Sequence, residues 1–101
     1  MLDREDEIFK SFLRLKDHPK YAVNPLGEIK NIKTGRILKP DNSYRGYSKV
    51  DLDGKKYYIH RLVAESFVPK EAGDRYVLHK NGDKSDNFYG NLKWSRERKA
   101  F

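Results

Sequence analysis

The sequence predicts a small α+β domain with an N-terminal helix, short antiparallel strands and a second short helix. Three observations support this fold class. The chain has 101 residues, which is the usual size of a single domain. Apolar side chains in residues 3–16 recur at helical spacing, whereas turn-forming residues divide residues 20–59 into short segments of alternating character. Asp53-Gly54 lies between two of these segments, which is typical of a two-residue β-hairpin.

Residues 3–16 are expected to form the N-terminal helix. Acidic residues occupy its first turns, where the helix dipole favours negative charge, and Phe9 and Phe12 belong to its apolar face. Pro19 closes the segment. We expect residues 1–19 to be an N-terminal extension whose helix packs on the domain. The alternative is a docking helix for a protein partner.

Residues 20–101 are expected to form one domain. Its first part, residues 20–59, is predicted to consist of lead-in strands separated by turns that contain Gly and Pro. A short helix is predicted over residues 60–68, because apolar side chains recur at helical spacing before Pro69. A strand then ends at His79, and a loop rich in Asn, Asp and Gly follows it.

The composition limits the classes of function. There are no cysteines, which excludes disulfides, thiolate catalysis and a cysteine-based zinc site. With three histidines in the chain, we expect no zinc. No apolar run approaches the roughly 18 residues of a membrane span, and the N-terminus lacks the pattern of a signal peptide. A cytoplasmic protein without a membrane partner is the resulting expectation.

Positive charge is concentrated in the predicted domain. Lys and Arg number 22 against 15 Asp and Glu, a formal net charge of +7, although residues 1–19 are slightly acidic. Lys and Arg displace counterions from phosphates, so DNA is the expected partner. The side chains expected to contact its backbone are Lys30, Lys33, Arg36, Lys39, Arg45, Arg96, Arg98 and Lys99.

Three segments carry a resemblance to a known family. They are the lead-in at residues 21–30, the helix at residues 60–67 and the strand–loop–strand segment at residues 77–94. Together they resemble the phage HNH homing endonucleases and their freestanding relatives. The resemblance implies a reduced ββα-metal element over residues 76–101 and a protein that binds DNA.

The resemblance also implies roles for individual residues. His79 takes the position of the general base, which removes a proton from the attacking water. Asn91 takes the position of the asparagine that orients this histidine and ties the loop. In an active relative, one divalent ion, Mg²⁺ or Mn²⁺, offsets charge on the scissile phosphate. His60 is expected to cap or pack its helix, and Asn87 is expected to hold the loop.

The two positions of the metal ligands depart from the family pattern. Leu78 stands directly before the histidine and Ala100 stands on the closing segment, and neither side chain can coordinate an ion. Asp83 or Glu97 offers a weaker route to a ligand from a displaced position. We therefore expect no metal, and the predicted function is DNA binding with weak or lost cleavage. One alternative is an active metal-dependent DNA nickase or endonuclease. Another is a phage-type regulator that binds and inhibits a host protein.

Overall fold

The computed structural model describes residues 3–98. The one α-helix of these residues is α1 (Ile59–Phe67), and two 3₁₀ turns lie at Glu7–Lys10 and Tyr89–Asn91. The strands form three small antiparallel sheets, so the predicted α+β class is confirmed. No helix in this part of the chain is long and apolar enough to cross a membrane. The strands are β1 (Leu13–Arg14), β2 (Tyr21–Val23), β3 (Ile29–Asn31), β4 (Asp41–Tyr44), β5 (Tyr47–Leu52), β6 (Lys55–Tyr58), β7 (Tyr76–His79) and β8 (Leu92–Ser95).

The predicted helix over residues 3–16 is wrong. The chain makes only a 3₁₀ turn at Glu7–Lys10 and then pairs, as β1, with β2. Its apolar side chains do not share one face, because Phe9 is buried whereas Ile8 is 63% exposed. A lone short helix is only marginally stable in water, and the packing of Phe9 and the pairing of β1 outweigh the helical pattern. The domain boundary at residue 19 stays a prediction.

The first sheet, in the order β1-β2-β3, supports the region of His79 through its β2–β3 turn. Asn24 is fully buried in this turn, and its Oδ1 accepts two backbone hydrogen bonds at 3.1 and 2.9 Å. Gly27 in the same turn has a φ of +91°, and a Cβ added to it would lie 3.0 Å from the Cβ of Asn87. The turn and the loop after His79 therefore touch without room for another carbon.

The second sheet, in the order β4-β5-β6, leads directly into the helix. The predicted turn at Asp53-Gly54 is confirmed, because both residues have positive φ, 56° and 88°, between the paired strands β5 and β6. β6 ends at Tyr58 and α1 begins at Ile59, which agrees with the helix predicted over residues 60–68.

The core lies between α1 and the three sheets. Apolar side chains on one face of α1 are buried together with those of β2, β5 and β8. Trp94 of β8 donates from Nε1 to the carbonyl of Val68 at 3.0 Å, which attaches the β7–β8 hairpin to the end of α1. In this hairpin His79 lies opposite Leu92. The histidine is thus fixed at the end of a strand that the core holds in place.

Candidate functional site

His79 occupies the end of β7, where the His79 loop (residues 80–91) begins. Its side chain is buried, and its Nε2 lies 3.0 Å from the Oδ1 of Asn87. Asn87 also donates from Nδ2 to the carbonyl of Ser85 at 3.4 Å, which turns its oxygen toward the imidazole. Because that oxygen can only accept, the neutral ring donates from Nε2 and keeps its lone pair on Nδ1. An imidazole held in this way can accept a proton at Nδ1.

Asn91 holds the loop rather than the imidazole. Its Nδ2 donates to the Oδ1 of Asn81 at 3.0 Å and to the carbonyl of Asp86 at 2.9 Å. Its Oδ1 accepts from the backbone N–H of Asn81 at 3.1 Å. These bonds use the donors and the acceptor of the Asn91 amide within the loop. Asn91 thus ties the loop, and the hydrogen bond to His79 comes from Asn87. The role of Asn91 in orienting the imidazole stays a prediction.

The N-terminal segment braces the His79 loop. Arg4 donates two parallel hydrogen bonds to the carboxylate of Asp86, at 2.8 and 2.9 Å, and they hold the pKa of that carboxyl below its ordinary value. The guanidinium also lies 4.5 Å from the centre of the Phe88 ring, and Phe9 packs edge-on against the same ring. Sequence reasoning missed this brace, because Arg4 and Asp86 are 82 residues apart and no local pattern links them.

The His79 cleft, a surface cleft of about 620 Å³ beside this histidine, has a cationic wall. The wall contains the two imidazoles of His60 and His79 together with Arg61, Lys84 and Arg98. None of the described residues that line it is Asp or Glu. Arg61 and Lys84 were not expected here, since folding alone brings α1 and the loop together. Such a wall attracts an anion and repels a cation.

The second imidazole, His60, lies against the first. The ring centroids of His60 and His79 are 5.0 Å apart, and the ring of Tyr47 lies 5.3 Å from that of His60. Burial, together with smaller contributions from the charges of His79 and Arg61, lowers the pKa of His60 to about 4. Its Nδ1 is buried and has no hydrogen-bond partner among residues 3–98. His60 therefore packs in the wall as a neutral ring.

The described part of the chain does not fit a divalent ion beside the general-base position. Leu78 lines the cleft with a side chain that has no ligand atom. Ala100, the other expected ligand position, lies outside the described residues. Within residues 3–98, no group of three or more His, Asp or Glu side chains is placed to hold a metal.

The carboxylates of Asp83 and Glu97 do not supply the missing metal ligands. The carboxylate of Asp83 accepts hydrogen bonds from the N–H and the Oγ of Ser85, at 3.0 and 2.7 Å, and these bonds lower its pKa. Glu97 is exposed after the end of β8. Neither carboxylate lines the His79 cleft. The rescue of the metal site through Asp83 or Glu97 has no support in their positions.

The candidate phosphate contacts are spread over the molecule. Arg98 lines the His79 cleft, and Arg45 occupies the turn between β4 and β5. Arg96 is exposed after β8, and Lys99 lies outside the described residues. The remaining candidates lie in the first sheet and the segment that follows it, and they do not line the cleft: Lys30, Lys33, Arg36 and Lys39.

Comparison with known protein families identifies the domain. Residues 57–99, which contain α1, β7, the His79 loop and β8, match the HNH endonuclease family. The chain carries an HNH endonuclease domain. The resemblance given by the three sequence segments is thereby confirmed, and the residues that line the His79 cleft, except Tyr47, lie within the matched range.

Similar proteins agree with this assignment. The chain is 39% identical over 100 residues to an uncharacterised HNH endonuclease of Acanthamoeba polyphaga mimivirus, across 92% of this chain and 25% of that protein. It is 37% identical over 78 residues to the DNA endonuclease I-HmuI of Bacillus phage SP01, across 73% of this chain and 45% of that protein. A solved structure that describes DNA binding and cleavage by the HNH homing endonuclease I-HmuI superposes on this chain with a TM-score of 0.73. That match has 34% identity and covers 84% of this chain and 52% of the other. The chain thus spans less than half of the length of these curated relatives.

Proposed function

We propose that this chain binds duplex DNA and cleaves it weakly or not at all. The observation that carries the proposal is the wall of the His79 cleft. It holds an imidazole in a suitable tautomer, but its described lining contains no carboxylate or amide side chain to hold a divalent ion. The positive charge of the chain, +7, supports affinity for a phosphate backbone.

The expected weakness of cleavage follows from the chemistry of phosphodiesters. A divalent ion in an HNH site offsets negative charge on the phosphate and stabilises the leaving oxygen. Leu78 supplies neither charge nor a ligand atom at the position before His79. Loss of several kcal/mol of charge stabilisation slows a reaction by several powers of ten, since each ~1.4 kcal/mol is about tenfold.

We assign the affinity for DNA to cations on several parts of the surface and not to the His79 cleft alone. Side chains of the first sheet and the following segment, together with Arg45 and the residues after β8, contact phosphates without reading bases. We assign this role to Lys30, Lys33, Arg36, Lys39, Arg45, Arg96, Arg98 and Lys99. Binding should therefore weaken steeply as salt rises.

An active Mg²⁺- or Mn²⁺-dependent nuclease is the second candidate. The arrangement of His79 favours it, because Asn87 fixes the ring and leaves Nδ1 as a proton acceptor. The third candidate, a regulator that docks on a host protein through a helix at residues 3–16, loses its docking element. That segment is a 3₁₀ turn followed by a strand.

A plasmid-nicking assay with Mg²⁺ or Mn²⁺, run beside a duplex-binding assay at low salt, tests the proposal. We expect the wild-type chain to bind the duplex and to leave supercoiled plasmid intact. The double substitution Leu78→Asp and Ala100→Asn adds a carboxylate and an amide at the two ligand positions and should gain nicking. Adding His79→Ala to that background should remove the gain.

The matched control is Leu78→Ala, which removes the leucine without adding a ligand, and it should not nick. Equal nicking by the wild-type chain and the double variant would contradict the proposed loss of cleavage and support the active nuclease. Absence of duplex binding at low salt would contradict the proposed role in binding DNA.

A further inference from the structure

Lys84 of the His79 cleft is held in place by contacts with Tyr47 and Arg45. The Nζ of Lys84 lies 4.8 Å from the centre of the Tyr47 ring and donates to the carbonyl of Arg45 at 3.4 Å. The Tyr47 ring in turn lies 5.3 Å from the His60 ring and 6.1 Å from the His79 ring. The ammonium group of Lys84 is therefore fixed over the same ring that contacts both imidazoles.

Two guanidinium groups extend the cationic wall. Arg61 donates from Nη1 to the carbonyl of Arg75 at 3.1 Å, which orients its side chain, and Arg98 lines the cleft as well. Guanidinium and ammonium groups are the usual protein partners of phosphate oxygens. His60 adds a buried Nδ1 that lacks a hydrogen-bond partner within residues 3–98. Within residues 3–98 no carboxylate lines this wall, and the carboxylate of Glu65, which pairs with Arg61 at 3.6 Å, lies outside the lining.

We propose that the His79 cleft binds a backbone phosphodiester of DNA without a divalent ion, with Lys84 and Arg98 supplying the positive charge. This inference rests on the proposed function, because it names how the same site holds DNA. A metal ion in the cleft would meet three cationic side chains, whereas a phosphate is attracted by all three. The phosphate then lies beside His79 with no ion to stabilise a leaving oxygen, which agrees with weak cleavage.

Fluorescence anisotropy with a labelled duplex tests this inference. We expect the wild-type chain to bind equally well in EDTA and in a matched buffer without chelator, and we expect added Mg²⁺ not to strengthen binding. Lys84→Ala and Arg98→Ala should each weaken binding several-fold. Each should also reduce the slope of log K against log salt by about one unit, because one phosphate contact contributes about −0.9 to that slope.

The matched control is Lys55→Ala. It removes the same charge from the exposed end of the β5–β6 hairpin, away from the cleft lining, and should leave the slope close to that of the wild-type chain. Loss of binding in EDTA, or equal slopes for Lys84→Ala and Lys55→Ala, would overturn the metal-free phosphate site while the proposed DNA binding stands. Failure of the wild-type chain to bind the duplex would overturn both.

Histidine ring NMR gives a second readout that does not depend on affinity. Two of the three histidines line the cleft, and His18 lies outside it against Tyr57, with ring centroids 4.5 Å apart. Addition of the duplex in EDTA should shift the ring signals of His60 and His79 and leave those of His18 in place. Shifts of all three rings of equal size, or of His18 alone, would contradict the assigned position of the phosphate.

Discussion

The two sides of the His79 cleft are built in different ways. On the loop side, the amides of Asn87 and Asn91 are buried and bound to the imidazole and the loop backbone. On the strand side, Leu78 presents an apolar side chain, and no side-chain hydrogen bond of the described structure depends on it. Buried polar groups that lose a partner destabilise a fold, whereas a partly exposed leucine has a smaller role. The stability of the fold therefore depends on the asparagines that hold the base. It depends much less on Leu78, which occupies the expected position of a metal ligand.

Substitution of Gly27, which contacts Asn87 on the loop side, should lower the free energy of unfolding more than any other change considered. Gly27→Ala places a Cβ 3.0 Å from the Cβ and 3.1 Å from the carbonyl oxygen of Asn87, at a φ of +91°. Steric overlap and backbone strain together should lower the free energy of unfolding by about 3 kcal/mol or more, as measured by urea denaturation. The matched control is Gly35→Ala, where φ is +74° but no atom lies within 4 Å of the added carbon. Its loss should be about 1 kcal/mol, from strain alone. Equal losses in the two variants would show that the turn and the loop do not press on each other.

The amide of Asn91 tests the loop side directly. Asn91→Ala removes three hydrogen bonds and leaves the backbone carbonyl of Asp86 and the N–H of Asn81 without this partner. We expect the free energy of unfolding to fall by about 2–3 kcal/mol in urea denaturation. Leu78→Ala, on the strand side, should lower it by about 1 kcal/mol, because the side chain is only partly buried. A larger loss for Leu78→Ala than for Asn91→Ala would reverse the comparison between the two sides.

The buried imidazole of His60 predicts a pH dependence of stability. Its pKa is about 4 in the folded protein and near 6.5 in the unfolded chain, because burial disfavours the charged ring. The unfolded chain therefore binds the proton first, so the stabilising contribution is complete above about pH 6.5 and is lost as the pH falls toward 4. The free energy of unfolding should fall by about 3 kcal/mol across this window. His60→Gln should flatten the profile, whereas His18→Gln should not. An unchanged profile in His60→Gln would contradict the assignment.

Much of the fold could be predicted from local patterns. Asp53-Gly54 predicted its hairpin because a tight turn with two positive φ angles needs such residues, wherever the hairpin packs. The apolar spacing before Pro69 predicted α1 because one face of that helix faces the core. The same spacing failed at residues 3–16, where Phe9 finds its partners in Phe88 and Tyr89 across the molecule. Apolar residues at helical spacing show that a helix there would have one apolar face. Tertiary contacts decide whether that helix forms.

The candidate site was predictable in its centre and not at its margins. The resemblance to the HNH family pointed to His79 and Asn91, and both lie in the residues that match this family. It could not show that Asn87 binds the imidazole, because the order of asparagines along a loop does not determine which of them faces the ring. Lys84 was missed for a similar reason. Its place in the cleft depends on contacts with Tyr47 and the β4–β5 turn, which only folding creates.

Loss of the ion pair between Arg4 and Asp86 should have the smallest effect on the free energy of unfolding. It tests whether the N-terminal segment stabilises the loop side of the cleft. Arg4→Ala removes a bidentate ion pair whose arginine side chain is 51% exposed, so solvent screens much of its energy. We expect the free energy of unfolding to fall by about 0.5–1 kcal/mol in urea denaturation. In an NMR titration the pKa of the Asp86 carboxyl should rise toward its ordinary value, since the Arg4 hydrogen bond is the main cause of its depression. Lys10→Ala is the matched control, because it removes a positive charge from the same segment. Within residues 3–98, the one ion pair of Lys10 is with the exposed Glu7, at 3.6 Å. If both variants leave the Asp86 carboxyl unchanged, the segment lies beside the loop without holding it. If the pKa of the Asp86 carboxyl rises in Arg4→Ala alone, residues outside the HNH domain support the loop side.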